Sequence, residues 1–304
     1  MMKVFQLGMT LISLLIAGCK KDELQIFTDN DAPYYDKVPS VKVRNYVNRL
    51  FIDLLGREPL DAEMDQETAT LQADNVSKIS REALINKLMQ DDTFRDGDTS
   101  YILTYHKRLH ELAKIRFIEG ISDESLRESA GIERFGAYSD SLAGNMVGFE
   151  EKMAKYNRLV SILNSRSEYQ NQAIDLYTVF ARMVDNQVYD VINMNTFNFV
   201  NACFDDLFFR FPSSAEFQIG FSMVEDNTAG SLFGQPGQNR PDFVRILTQS
   251  NECKLGVVIW AYNTLLARNP TSTEMELEMQ KFGLDKDLKA LQKRILITNE
   301  YANF

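Results

Sequence analysis

The residues best suited to metal or acid–base chemistry are the two histidines, His106 and His110. They lie four residues apart in a predicted helix, so their side chains share one face. Such a pair can ligate zinc or copper, but a closed site needs further ligands, and no Cys-x-x-Cys motif supplies them. We therefore predict no metal site. We expect a solvated basic face that includes Lys107, Arg108 and Lys114.

The sequence also lacks residues or motifs that other kinds of catalytic site require. A Ser-His-Asp triad would need one of these histidines, and no Gly-x-Ser-x-Gly segment presents a nucleophile. Gly-x-Gly-x-x-Gly and phosphate-loop motifs are absent from the sequence. A carboxylate pair among the 43 acidic residues leaves a hydrolase as an alternative. The main prediction is a protein that is not an enzyme and carries no cofactor.

The three cysteines divide into one near the N-terminus, Cys19, and two later in the chain, Cys203 and Cys253. The repeat described below places Cys203 in an entry helix and Cys253 at the end of a third helix. Outside the cytoplasm such a pair can oxidise, and the closed loop would contribute ~4 kcal/mol. A disulfide is one prediction, and two buried free thiols are the alternative.

The N-terminal segment has the pattern of a secretion signal. Lys3 precedes an apolar stretch over residues 7–16, which ends in Ala17-Gly18-Cys19. A membrane-spanning helix needs about 20 apolar residues, so this shorter stretch favours a cleaved signal. An ordinary signal peptide with a fortuitous cysteine is the alternative to the following resemblance.

Ala17-Gly18-Cys19 resembles the lipobox of bacterial lipoproteins. The resemblance implies cleavage before Cys19, a diacylglycerol on its thiol and an acyl chain such as palmitate on its amine. Lys21-Asp22-Glu23 resembles the export tag of Bacteroidota lipoproteins, which implies the outer face of the outer membrane. The periplasmic face is the alternative. Residues 1–18 are then a signal peptide and 19–40 a lipidated tether.

A motif of Leu, an apolar residue, any residue, Arg, any residue, Pro, three residues and Glu occurs three times. The residue before Pro is pushed out of the helical region, so a helix must end near each Arg and another begins after Pro. Each Arg could pair with the Glu or bond the last carbonyls of the first helix. We expect this structural use rather than ligand binding. The motif residues are Arg57, Pro59 and Glu63, then Arg210, Pro212 and Glu216, then Arg268, Pro270 and Glu274.

The residue three positions before each Glu should cap the second helix of the motif. Ser213 with Glu216, and Thr271 with Glu274, have the spacing of a capping box. The first copy has Leu60 at that position, so we expect its cap to shift to Asp61.

The motif defines a predicted three-helix module with an Arg-x-Pro corner. It resembles the helical Leu-Leu-Gly-Arg-x-Pro domains of unknown function in Planctomycetes-type secreted proteins, which implies a helical fold and no established activity. We predict modules over 41–95, 171–253 and 254–304. Residues 96–170 are either a degenerate module or an inserted helical pair.

Composition agrees with an all-α fold. Gly and Pro number only 15 and 7 among 304 residues, which disfavours a many-stranded barrel or sandwich. The net charge of −10 is the opposite of what a nucleic-acid-binding protein needs.

Two segments depart from the helical pattern and are candidate binding elements. In the segment Glu225–Pro241, Leu232 and Phe233 would be the apolar contacts. The second candidate segment, Gly136–Gly148, contains Tyr138, Leu142, Met146 and Val147. A tolerated surface insertion is the alternative for both.

These patterns predict an outer-membrane-anchored lipoprotein, most simply exposed at the cell surface. It would act as a non-enzymatic binding or scaffold subunit beside another outer-membrane protein or lipoprotein. A glycan- or peptidoglycan-binding lipoprotein is one alternative. Such a protein would present an aromatic platform, but the only tryptophan, Trp260, lies in a helix that the sequence predicts to be buried. A hydrolase with an unrecognised site is the second alternative.

Overall fold

The computed structural model describes residues 37–94 and 100–304. In this part of the chain 76% of the residues are helical and the only strands form one short β-hairpin, so the all-α prediction is confirmed. Cys19 and the signal and tether segments up to residue 36 lie outside the described residues. None of the described helices is long and apolar enough to cross a membrane.

The helices, in chain order, are α1 Ser40–Leu55, α2 Asp61–Ala73, α3 Lys78–Gln90, α4 Tyr101–Ile118, α5 Asp123–Leu142, α6 Met146–Gln170, α7 Leu176–Val184, α8 Gln187–Asn193, α9 Thr196–Phe208, α10 Ser214–Glu225, α11 Arg240–Gln249, α12 Asn251–Leu266, α13 Ser272–Asp285, α14 Leu288–Leu296 and α15 Asn299–Ala302. The antiparallel hairpin between α10 and α11 consists of β1 Gly230–Leu232 and β2 Gln235–Gly237.

The first helix of each Arg-x-Pro motif ends where the sequence predicts. Gly56, Phe209 and Ala267 follow α1, α9 and α12 and adopt left-handed backbone conformations, with φ of 74°, 58° and 54°. Glycine takes this conformation at no steric cost, whereas phenylalanine and alanine are strained in it. The interactions of the neighbouring arginine must therefore hold the second and third helix ends in place.

The two ends of the described chain pack against each other. The Tyr46 ring of α1 meets the Tyr301 ring of α15 edge-on at 6.0 Å, and its hydroxyl donates to the Leu296 carbonyl at 3.2 Å. Arg49 donates to the Tyr301 carbonyl at 2.9 Å, and Tyr301 donates to the Asp53 carboxylate at 2.8 Å. The C-terminal residues are therefore part of the core rather than a loose tail.

Helices α5 and α6 form an antiparallel hairpin within the span 96–170. They pack along each other, and α6 also packs on α4 and α7. The described part of this span has no Arg-x-Pro corner. The division into modules elsewhere in the chain stays a prediction, as does the choice between a degenerate module and an insertion here.

The segment Glu225–Pro241 forms the β-hairpin and does not present its apolar pair to solvent. Leu232 is only 2% exposed, and the half-buried Phe233 packs against Phe208 with ring centroids 5.7 Å apart. The burial of Leu232 contradicts its predicted role as a partner contact, whereas the role predicted for the half-buried Phe233 stays a prediction. Two consecutive apolar residues in a polar loop anchor this hairpin to the helical core.

Cys203 and Cys253 do not form the disulfide that was one of our predictions, because both are buried free thiols in the structure. Burial raises the pKa of Cys203 well above its usual range and that of Cys253 to about 12. Cys203 lies beside the Tyr189 hydroxyl, and Cys253 lies near Arg116. Both sulfurs thus act as small apolar core groups.

Candidate docking surface

The arginine of each Arg-x-Pro motif is held by the glutamate six residues later in a two-point fork. The Nη1–Oε2 and Nη2–Oε1 distances are 2.8 and 2.9 Å for Arg57–Glu63, 2.9 and 2.7 Å for Arg210–Glu216, and 2.8 and 2.7 Å for Arg268–Glu274. This is the planar, charge-assisted geometry that arginine favours. Each motif arginine therefore pairs with its glutamate, which is one of the two predicted roles, the other being a bond to the last carbonyls of the first helix.

The glutamates also cap the helices that follow. The Glu216 and Glu274 carboxylates accept from the Ser213 and Thr271 amides, both at 2.7 Å, and complete the predicted capping boxes. Glu63 accepts from the Leu60 amide at 2.8 Å, so the helix starts after Leu60. The predicted shift of the cap to Asp61 is wrong, because Glu63 satisfies the Leu60 amide without a side-chain cap.

Within the described residues, Arg210 and Arg268 each hold a second carboxylate as well. Arg210 Nε donates to Glu252 at 3.0 Å, and Arg268 Nε donates to Glu300 at 2.6 Å. The hydrogen bonds from the two arginines lower the pKa of Glu216 and of Glu274 to about 2. An anionic ligand would have to displace two carboxylates from either arginine, so these corners serve architecture and not binding.

Three further arginines support the same helix ends, and the sequence did not predict this role for any of them. Arg49 donates to the Leu265 carbonyl at the end of α12, and Arg116 Nε donates to the Asp206 carbonyl of α9 at 2.8 Å. The Arg108 side chain packs on Gly56 at the end of α1. These contacts join residues far apart in the sequence, so no local pattern could have indicated them.

We expect the fork at Arg210 and Glu216 to be energetically coupled by about 2 kcal/mol, since both groups are charged and partly buried. Arg210→Ala, Glu216→Ala and the double variant would be unfolded in urea and compared with the wild type. A coupling energy within a few tenths of a kcal/mol of zero would contradict a structural role for the corner.

The two histidines do not lie on a solvated basic face, and that prediction is wrong. His106 and His110 are 4% and 6% exposed, and the nearby Lys114 is also buried, with its ammonium 2.5 Å from the Asp123 carboxylate. His110 Nε2 donates to the Ile162 carbonyl at 3.0 Å. The α6 and α7 helices cover this side of α4. The sequence of α4 alone does not predict that these helices pack there.

Burial sets the electrostatics of the pair and keeps both rings neutral. It lowers the pKa of each histidine to about 4, with Lys289 adding to the effect on His106 and Lys114 to that on His110. Neither ring nitrogen of His106 has a hydrogen-bond partner among the described residues. The described residues contain no group of three or more metal-ligating side chains.

Four charged side chains that line one surface groove lie close to a charge of opposite sign. One groove of about 410 Å³ lies beside His110 and includes Lys107, Glu111, Lys114 and Asp123. Lys114 forms an ion pair with Asp123, and Lys107 lies 4.0 Å from Glu111.

The tryptophan packs within the helical part of the structure. The Trp260 ring meets the Phe180 ring edge-on, with their centroids 5.7 Å apart. It therefore does not form the flat exposed platform that a glycan-binding protein uses.

The C-terminal half of the α5 helix has its large hydrophobic residues on the outside. Leu126, Ala130 and Ala137 are buried on the side that faces α6. On the outer side, large side chains follow one another at helical spacing and are exposed to 61–72%: Ile132, Phe135, Tyr138 and Leu142. We call these four residues the α5 face. Two of them, Tyr138 and Leu142, lie in the predicted segment Gly136–Gly148.

The apex of the hairpin continues this apolar surface. Met146 and Val147, also predicted from the sequence, are 53% and 69% exposed, and residues 141–149 contain no charged side chain. Asp140 turns toward α6, where it pairs with Lys152 and accepts from Asn145 at 3.2 Å. Ile132 and Phe135 were missed because the expected binding element began at Gly136.

Comparison with protein-family models, curated proteins and solved structures gives no match. The candidate site therefore stands on its own geometry. It is an exposed apolar face on a helical hairpin, of the kind that mediates association with another apolar surface.

Proposed function

We propose that this chain is an outer-membrane lipoprotein, anchored through Cys19 and exposed at the cell surface, that acts as a non-enzymatic binding subunit of a protein complex. The supporting observation is the α5 face. The resemblance of the N-terminal segment to the lipobox and to the Bacteroidota export tag supports the anchor and its side of the membrane.

The α5 face favours association because it is the inverse of an ordinary surface helix. A helix on a globular protein buries its large hydrophobic residues and exposes its polar ones. The C-terminal half of α5 departs from this rule, because it buries Ala137 and exposes Phe135, Tyr138 and Leu142. Covering a side chain of this size gains roughly 1.5–3 kcal/mol. A partner that covers the α5 face therefore obtains a driving force that the isolated fold leaves unused.

Capture from the membrane tests this function. The tagged full chain would be expressed in its native host and purified from outer membrane solubilised in mild detergent. We expect it to retain a partner in a fixed ratio, and the variant Phe135→Asp to lose at least about 90% of that partner, since a charge in an apolar interface costs more than 1.4 kcal/mol.

Ile79→Asp is the matched control, because Ile79 is an exposed isoleucine on α3, far in sequence from the hairpin, with 80% of its surface exposed. It should retain the partner fully. Cys19→Ala should remove the protein from the outer-membrane fraction and leave it soluble or unprocessed. Equal retention by Phe135→Asp and the wild type, or hydrolysis of a glycan or peptide by the purified chain, would contradict the proposal.

A further inference from the structure

We infer that the apex of the α5–α6 hairpin, residues 141–149, inserts shallowly into a lipid bilayer, at the boundary between the headgroups and the acyl chains. The inference rests on the proposed function in one respect, namely that Cys19 anchors the chain to a membrane. It adds a second membrane contact, made by the folded part of the chain, and with it an orientation of the hairpin toward the membrane.

The apex combines full exposure with an uncharged sequence. All seven residues from 141 to 147 are exposed, and Leu142, Met146 and Val147 expose 72%, 53% and 69% of their surface. Residues 141–149 contain no charged side chain. An apolar patch of this kind, left in water by the rest of the fold, marks a contact with a protein or a membrane.

The backbone of the apex favours the membrane. Water is excluded from the apolar part of a bilayer, so a segment that approaches it must satisfy its own backbone donors. The amides of residues 143–146 donate to carbonyls within the turn at 2.9–3.2 Å. The Gly148 amide donates to the Asn145 side chain at 3.1 Å, and the Phe149 amide donates to the Asn145 carbonyl at 3.1 Å. The apex can therefore leave water without stranding these amides.

The charges beside the apex set the depth of insertion. Asp140 is paired with Lys152, so this carboxylate carries its own counter-charge toward the bilayer. Glu150 and Glu151 are exposed near the start of α6. A carboxylate among the acyl chains is costly, so these two must stay among the headgroups. The contact is therefore shallow and apolar, and it gains nothing from anionic lipids.

The size of the apex also favours a bilayer over a protein partner. Three large side chains cover less than the ~800 Å² that each partner buries in a standard protein interface. A bilayer contact needs no such area when the anchor at Cys19 already holds the chain at the membrane, because a tethered second contact acts at about millimolar effective concentration. A small apolar apex is then sufficient.

Insertion of the apex orients the rest of the α5 face. Tyr138 lies about 6 Å from Leu142 along the helix, where its ring and hydroxyl suit the headgroup region. Phe135 lies about 10 Å from Leu142, and the charged Glu133 and Arg134 lie farther still. These three residues stay outside the acyl chains, so Phe135 remains available to a protein that lies beside the hairpin.

Site-directed fluorescence of the full chain, reconstituted into phosphatidylcholine vesicles, tests the inference. A fluorophore would be placed at Val147→Cys and, as the control, at Ile79→Cys, since both positions are exposed. The native Cys203 and Cys253 are buried free thiols and should not react. We expect a nitroxide at a shallow position of the acyl chain to quench the label at 147 at least about twofold more than the label at 79. Equal quenching at the two positions overturns the inference.

Lipid composition and a charged substitution test the apolar nature of the contact. Replacing part of the phosphatidylcholine with phosphatidylglycerol should leave the quenching at position 147 unchanged or lower it, because the chain has a net charge of −10. Met146→Asp should reduce the quenching at 147 to the level of the control. Circular dichroism of this variant should match the wild type, because Met146 is exposed. Quenching that requires the anionic lipid, or that survives Met146→Asp, overturns the inference.

The outcomes separate this inference from the proposed function. An anchored chain that keeps its protein partner while its apex stays in water overturns the inference and leaves the function standing. A chain without lipid on Cys19 whose apex still inserts into phosphatidylcholine vesicles supports insertion and overturns the anchor in the proposed function. A photo-cross-linking residue at Val147 that yields protein adducts in the native membrane, and no lipid adducts, assigns the apex to a protein and overturns the inference.

Discussion

Gly256→Ala is expected to abolish folding or to lower the free energy of unfolding by more than about 4 kcal/mol. Gly256 lies in α12 where it crosses α9, and a Cβ atom there would stand 1.8 Å from the Leu207 carbonyl oxygen. The obstacle is backbone, so no side chain can rotate away. Urea unfolding followed by circular dichroism measures the effect.

Gly131→Ala is the matched control for this substitution. Gly131 is also helical, but a Cβ atom there would have no neighbour within 4 Å. Alanine is the better helix former by about 0.5–1 kcal/mol, so the control should be slightly more stable than the wild type. If Gly256→Ala lost less than about 1 kcal/mol, α9 and α12 would not cross as closely as the structure has them.

The second large effect is a loss of stability in acid caused by the buried histidines. The pKa of His106 falls from 6.5 to about 4 on folding, so the unfolded chain binds a proton at a pH where the folded chain does not. Stability is then fully present above pH 6.5 and declines as the pH falls toward 4. Between pH 7 and pH 4.5 we expect His106 to account for about 2 kcal/mol.

His106→Leu isolates this contribution from the titrating carboxylates. Both ring nitrogens lack hydrogen-bond partners among the described residues, so leucine should leave the stability at pH 7 unchanged or raise it. The difference in unfolding free energy between pH 7 and pH 4.5 should be about 2 kcal/mol smaller in the variant than in the wild type. Equal differences in the two proteins would show that His106 is not neutral and buried.

The parts of the fold that the sequence predicts are those set by local chemistry. Pro59, Pro212 and Pro270 restrict the residue before them, and a capping box spans only four residues, so the helix ends and Arg–Glu forks follow from short patterns. The exception at Leu60 is also local. Glu63 accepts from the Leu60 amide as in the other copies, and only the acceptor that a hydroxyl would offer to the Glu63 amide is missing.

The candidate site was predicted only in part, because the exposure of a side chain depends on which distant parts of the chain pack against it. His106 and His110 were expected in solvent and are covered by helices distant in sequence, whereas Leu232 was expected to be exposed and anchors a hairpin. Conversely, the spacing of Ile132 and Phe135 alone fits a buried stripe as well as an outer face. Their exposure follows from the alanines that α5 turns toward α6, which the structure shows directly.

We expect the α5 face to bind another protein on the native membrane. A photo-cross-linking residue placed at Phe135 in growing cells tests it most directly, with the same residue at Ile79 as the control. We expect a discrete cross-linked species from position 135, containing another outer-membrane protein, and none from position 79. A position 135 that yields no protein adduct, while the full chain is present in the outer membrane, would contradict the claim.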